Sequence, residues 1–220
     1  MKYFLDSAIT SEITYALEMW NIDGVTTNPR HVQASGKPFM TVIREIAGIF
    51  EGTDKPISVE VNPHFTGWHD MVDEAVKLAA ISPNFVIKLP ATEAGFKSVA
   101  VLADKGIRSN LTLVFSASQA LQAMRMGAAF VSPFIGWKEA SGEASAAFIQ
   151  DIVAIRDNYD FMTEIIVAAV RTGHQIVESA VAAADIVTAG FAVYKDAFAH
   201  PYTDEGLKRF CNFWDQTKYE

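Results

Sequence analysis

The run FVIKLP at residues 85–90 decides the fold. It is short, rich in β-branched and aromatic residues, closed by a proline, and holds one charge, Lys88. A continuous apolar run of this length is the mark of a strand buried on both faces, and such strands belong to parallel sheets. Seven similar runs flank it: YFLDS (3–7), GVTTN (24–28), ISVEV (57–61), NLTLVFS (110–116), AFVSPF (129–134), EIIVAAV (164–170) and DIVTAG (185–190). Between them, apolar residues fall at helical spacing over 9–20, 68–81, 93–104, 117–126, 143–156, 173–183 and 205–216. Thr92 is placed to cap the helix that begins at Glu93, and Thr203 with Asp204 and Glu205 to open the last one. Strand and helix alternating about eight times predicts a single (β/α)8 barrel spanning residues 1–220. A doubly wound open sheet would also alternate. It would usually carry a glycine-rich nucleotide turn after its first strand, where this chain has Asp6-Ser7-Ala8.

Composition narrows the function. Of 220 residues, 50% are hydrophobic and 20% charged, so the chain can bury a large core and is not disordered. Eighteen Lys and Arg against 26 Asp and Glu give −8, which argues against nucleic acid or an anionic membrane as partner. One cysteine, Cys211, excludes a disulfide framework and a cysteine-rich metal site; set between Phe210 and Phe213, it is expected to be a packed thiol. Asp6 interrupts any signal-like core in MKYFLDSAIT, and no stretch reaches the length of a membrane span. These features predict a soluble, cytoplasmic protein.

Several strands that should be wholly apolar are not, and the exceptions share the C-terminal half of the strand. Asp6, Asn28, Glu60, Lys88, Asn110 and Thr112 stand there, with Ser132 and Phe134 on one face of the sixth run. In a barrel that end is the active face. Lys88 is the informative residue. An ammonium in an apolar strand bears a desolvation cost unless paired or neutral, and a neutral amine is a Schiff-base nucleophile. Taken alone it could equally be an outward lysine whose stem covers the helices. Carboxylates at the ends of neighbouring strands favour the inward reading, with Asp6 and Glu60 as proton carriers. Asp6 could otherwise cap the first helix, and the asparagines could serve loop backbone. His31, His64, His69, His174 and His200 have no metal-ligand spacing and are read as surface or helix-end residues.

FLDSA, GVTTNP, SVEV, VIKLP, NLTLVFS, VSPFIG, AAVR and ADIVT together resemble the transaldolase family, closest to its short branch that includes fructose-6-phosphate aldolase. The resemblance runs from residue 3 to about residue 215. It implies a (β/α)8 barrel in which Lys88 forms a Schiff base with a ketose and Asp6 moves the proton of retro-aldol cleavage. It further implies that Glu60 acts through a water shared with Thr112, and that Asn28 and Asn110 bind substrate hydroxyls, with Thr27 and Ser132 beside them. It implies no metal or organic cofactor, because the lysine is the electron sink. It also implies a homo-oligomer, pentamer or decamer, whose last helix reaches a neighbour.

Aldolase members of the family carry Gln and Tyr where this chain has Glu60 and Phe134, as true transaldolases do. Without the tyrosine hydroxyl the enamine is protonated slowly and waits for an aldehyde, so transfer is expected. Family members usually hold the substrate phosphate with an Arg after the sixth strand and a Ser on the seventh; here these are Trp137 and Ala169. Arg30 stands where a small hydroxyl residue is usual, and Arg171 remains. A phosphate carries about −1.5 to −2 and a sulfonate a single charge. Arg30 with Trp137 therefore predicts a sulfonated ketose, 6-deoxy-6-sulfofructose, as donor and glyceraldehyde 3-phosphate as acceptor. The alternatives are an ordinary phosphosugar transaldolase or aldolase, and a non-catalytic sugar-phosphate sensor. The intact set Asp6, Glu60, Lys88 and Thr112 speaks against the sensor.

Overall fold

The computed structural model describes residues 1–219. The chain runs β1 (Lys2–Asp6), α1 (Thr10–Trp20), β2 (Gly24–Thr26), α2 (Pro29–Ala34), α3 (Phe39–Ile49), β3 (Ile57–Glu60), α4 (Trp68–Ala79) and β4 (Phe85–Pro90). It continues through α5 (Glu93–Asp104), β5 (Ser109–Val114), α6 (Ala117–Arg125), β6 (Phe130–Pro133), α7 (Ile135–Ala140) and α8 (Ala146–Asn158). It ends with β7 (Glu164–Val170), α9 (Gly173–Val181), β8 (Ile186–Ala189), α10 (Phe191–Phe198) and α11 (Pro201–Asp215). The strands pair in parallel and in chain order, and β8 returns to β1, closing the predicted barrel. Among the described residues no helix is long and apolar enough to cross a membrane.

Outward faces of the strands pack on the helices in one continuous core; inside the barrel lies a separate plug of Phe4, Val86, Phe130, Ile166 and Ile186. Phe4 and Phe130 meet edge to face, with ring centroids 6.2 Å apart. Counting in steps of two from the plug puts Asp6, Lys88, Ser132 and Thr188 on the same inward face. Apolar side chains thus fill the bottom of the barrel and polar ones its top. Gly24 makes the plug possible, because a Cβ there would lie 2.8 Å from the Phe4 ring and 2.7 Å from the Pro56 carbonyl oxygen.

Two strands break their regular alternation at the polar end. β5 carries one more residue than β6 between Leu111 and Val114, and β7 one more than β8 between Val167 and Val170. The inserted positions are bulges. Leu113 and Ala169 sit there at φ 57° and 58°, in the left-handed region that non-glycine residues rarely adopt.

The sequence reading of the helices needs correction. Residues 29–49 hold α2 and α3, neither of which was expected. α2 is only six residues long, begun by Pro29 at its first position. α7 and α10 were also unforeseen. α11 opens at Pro201, not near Thr203, because the His200 ring accepts the Tyr202 N–H and Pro201 fixes the first turn. Cys211 is exposed, since α11 buries none of its residues against the barrel. Gly24→Ala is expected to destabilise the barrel by about 1–3 kcal/mol through overpacking. A urea midpoint equal to that of the wild type would show that Phe4 and the 56–57 backbone move aside freely.

Candidate active site

Parallel pairing of β3 with β4 sets Glu60 directly across from Lys88. The Lys88 side chain is 5% exposed, and its Nζ lies 3.4 Å from Glu60 Oε2. Nζ also donates to the Thr27 carbonyl oxygen at 3.1 Å. The desolvated amine is therefore answered by a carboxylate and by a backbone dipole at the end of β2.

Asp6, at the end of β1, accepts a hydrogen bond from the Thr26 hydroxyl on Oδ1 at 2.8 Å. Thr26 and Thr188 oxygens are 2.6 Å apart. The single Thr26 proton goes to Asp6, so Thr188 is the donor in that pair. His31 Nδ1 lies 3.2 Å from the same Asp6 oxygen. Burial pushes the Asp6 carboxyl upward, but the His31 contact, the charge of Lys88 and the Thr26 hydroxyl together outweigh it and hold it below its ordinary 3.8. The alternative role for Asp6 as a helix cap is not taken up. Ser7 Oγ receives the Ile9 N–H at the start of α1 instead.

These groups open onto one cavity of about 530 Å³ at the C-terminal ends of the strands. That volume is in the range of small-ligand sites. Of the expected residues, Asp6, Asn28, Arg30, Glu60, Lys88, Thr112, Ser132, Phe134, Trp137, Ala169 and Arg171 line it. Thr112 Oγ1 is buried with no hydrogen-bond partner, an acceptor and donor left for something in the cavity. Asn28 has half its amide committed, because its Oδ1 receives the His31 N–H at 3.0 Å and caps α2.

Two expected residues are not on the wall. Asn110 is fully buried one layer down, donating to Ser58 Oγ at 3.1 Å and accepting from Ser132 Oγ at 2.8 Å. Thr27 donates its hydroxyl to the Ser58 carbonyl oxygen at 2.8 Å and faces a neighbouring cavity of about 410 Å³. That cavity shares Asn28, Pro29 and Glu60 with the first. His31 was read as a surface or helix-end residue and lies inside the site. Its signal was its place in the first turn after a strand end, at the active face of the barrel.

The rim is aromatic on one side and cationic on the other. Trp137 is half exposed and meets Phe134 edge-on at 5.8 Å, with Phe115 at 5.7 Å from both rings. Gly136 brings α7 against β7, since a Cβ would fall 2.1 Å from the Ala169 carbonyl oxygen and 3.1 Å from Arg171 Nε. Arg171 is fixed further by its N–H, which donates to buried Gln175 at 2.6 Å; Gln175 in turn donates to Glu139 on α7. A buried amine, a carboxylate beside it, a second carboxylate held ionised, and two exposed guanidiniums suit carbonyl chemistry on an anionic substrate.

A family model described as Transaldolase/Fructose-6-phosphate aldolase matches residues 3–219. Proteins named 6-deoxy-6-sulfo-D-fructose transaldolase, from Priestia aryabhattai and Priestia megaterium, are each 59% identical over 221 residues, covering 100% of this chain and 98% of theirs. A probable transaldolase from Dictyoglomus turgidum is 44% identical over 216 residues, or 98% of this chain and 99% of its own.

The Asp6 carboxyl fixes a pH dependence of stability. Its folded value lies below the unfolded one, so its contribution is present above the unfolded value and is lost as pH falls through the folded one. Between about pH 5 and about pH 3 the wild type should lose more Tm than Asp6→Asn. Parallel Tm curves would show that His31 and Lys88 do not stabilise the carboxylate.

Proposed function

The chain belongs to the transaldolase/fructose-6-phosphate aldolase family, and from that premise we propose that it moves a dihydroxyacetone unit from 6-deoxy-6-sulfofructose to glyceraldehyde 3-phosphate. The products are 3-sulfolactaldehyde and fructose 6-phosphate. The observation that carries the chemistry is Lys88, 5% exposed, with Glu60 Oε2 3.4 Å away and Asp6 on the same cavity.

Lys88 Nζ attacks the ketose carbonyl carbon, C2. Glu60, with water and the unpartnered Thr112 hydroxyl, delivers the proton that lets the carbinolamine oxygen leave as water, giving an iminium. Asp6 takes the proton of the C4 hydroxyl. The C3–C4 bond breaks, its electrons pass into the iminium, and the sulfonated aldehyde departs, leaving an enamine on Lys88. The enamine carbon then attacks the acceptor aldehyde. Asp6 returns its proton to the new C4 oxygen, and water releases the ketose from the lysine. Phe134 supports transfer over simple release, because its ring offers no hydroxyl to protonate the enamine.

Arg30, Trp137 and Ala169 support the sulfonate, as do the names of the two relatives at 59% identity. A methyl at 169 and an indole at 137 suit an anion of single charge with apolar surroundings. We further propose that α11 seats on a neighbouring subunit of a homo-oligomer. Phe210, Phe213 and Trp214 on it are each more than 60% exposed, an aromatic face that a solitary barrel has no use for.

Borohydride reduction with the sulfonated ketose should leave a covalent adduct on Lys88, seen by mass, and Lys88→Met should leave none. The ratio of kcat/KM for 6-deoxy-6-sulfofructose over fructose 6-phosphate, each with its matched acceptor, should reach about tenfold or more, about 1.4 kcal/mol. Arg30→Ala should collapse that ratio. A preference for the phosphate donor would make this an ordinary phosphosugar transaldolase with a relocated arginine. Arg30→Ala acting like wild type on both donors would remove Arg30 from the anion site.

A further inference from the structure

His31 is placed by backbone and not by chance of rotamer alone. Pro29 fixes the first helical position of α2, and the His31 N–H is tied to Asn28 Oδ1 at 3.0 Å. β2 pairs with β1 so that Thr26 stands beside Asp6. The turn that follows β2 therefore hangs over the end of β1. His31 Nδ1 comes to rest buried 3.2 Å from Asp6 Oδ1, without an aligned hydrogen bond to any described group, so that a small turn of the ring brings its N–H onto that oxygen.

Both protein contacts to the Asp6 carboxyl fall on the same atom. Thr26 donates to Oδ1, and His31 faces Oδ1. Oδ2 receives nothing from any described residue, while Asp6 lines the cavity. We infer that His31 is the positioning residue of the proton carrier: its Nδ1–H binds Asp6 Oδ1, locks the carboxyl plane and presents Oδ2 as the oxygen that exchanges a proton with substrate. The inference rests on the proposed role of Asp6.

The tautomer follows from the partner. A carboxylate oxygen offers only lone pairs, so Nδ1 carries hydrogen whether the ring is neutral or cationic. The other charges facing this pair are Lys88 from β4, Glu60 from β3, Arg30 from α2 itself and Arg171 beyond β7. β8 contributes the neutral Thr188, and α10 the apolar Val193. Burial works to raise the Asp6 carboxyl, and of the influences that lower it the contact with His31 is the largest. Removing the ring should thus raise the carboxyl and free it to turn. A proton carrier that is part protonated and disordered loses turnover in preference to substrate affinity.

The test uses the full chain with carboxyl-13C aspartate, and Asp6→Asn to assign the Asp6 signal. His31→Ala should move the Asp6 titration midpoint up. It should also lower kcat about tenfold or more with little change in KM for the donor, and shift the acid limb of kcat/KM upward. His31→Asn keeps an N–H donor near the Nδ1 position and should restore most of the midpoint and of kcat. An unmoved midpoint in His31→Ala overturns the inference. So does an Asn variant no better than Ala, or a raised donor KM at constant kcat, which would put His31 on the substrate anion instead. The carboxyl titration needs no turnover. Absence of a borohydride adduct on wild-type Lys88 would sink the Schiff-base reading alone, and the coupling of His31 to Asp6 would still be judged by the titration.

Discussion

An amine inside a closed barrel constrains everything around it. Lys88 sits on the middle of the eight-strand ring with 5% of its side chain exposed, and it needs both a counter-charge and a hydrogen-bond acceptor to be there. The counter-charge comes from register: β3 and β4 pair Glu60 with Lys88. The acceptor comes from the end of β2, where the Thr27 carbonyl oxygen is free of the ladder. Shifting β3 by one residue would turn Glu60 out of the barrel and leave the ammonium buried and unanswered. The polar top of the barrel is stable only because each strand stops where it does. The apolar plug beneath it, from Phe4 to Ile186, keeps water from entering through the other end.

A regular strand would not build this cavity. Period-two alternation sends every second side chain outward, yet residues 168, 169, 170 and 171 all line the cavity, as do both Thr112 and Leu113. The bulges at Leu113 and Ala169 make this possible by breaking the alternation. Each holds a non-glycine residue at positive φ, a cost of order 1–3 kcal/mol that the surrounding pairing sustains. At Ala169 the strain also clears space. The Ala169 carbonyl oxygen faces Gly136, and Arg171 Nε lies beside the same close approach.

The barrel was legible because its signal is coarse. Eight apolar runs separated by helical spacing leave few alternatives, and polar residues late in such runs mark the active face before any side chain is placed. FVIKLP matched β4 residue for residue. What stayed hidden depends on direction within a layer or on short elements. Asn110 shares a face with Thr112, and sequence alone cannot say that one lies a layer below the other; the buried bonds to Ser58 and Ser132 decide it. Phe115 and Ser116 looked like strand, but Ser116 caps α6 and exchanges bonds with Gln119, which ends β5 early. α2 has six residues, too few for a periodic pattern, and so His31 had no visible face. α11 is amphipathic in sequence, and nothing in a pattern tells whether the apolar side meets its own barrel or another.

The charge of the site bears on which anion it suits. Its ionisable wall, His31 apart, is Lys88, Arg30 and Arg171 against Asp6 and Glu60. Three positive groups against two negative leave a formal +1 inside a chain whose total is −8. A cavity opposite in sign to the surface around it draws an anionic substrate inward. A sulfonate would bring the site to zero. A phosphate, at about −1.5 to −2, would leave the site net negative, so the acceptor's phosphate is held less evenly there than the donor's sulfonate. Lys88 remains cationic as an iminium until the C3–C4 bond breaks. In that step the iminium becomes a neutral enamine while Asp6 takes the C4 hydroxyl proton and is neutralised, so one positive and one negative charge vanish together. The formal +1 that faces the sulfonate, Arg30 and Arg171 against Glu60, is therefore the same before and after cleavage.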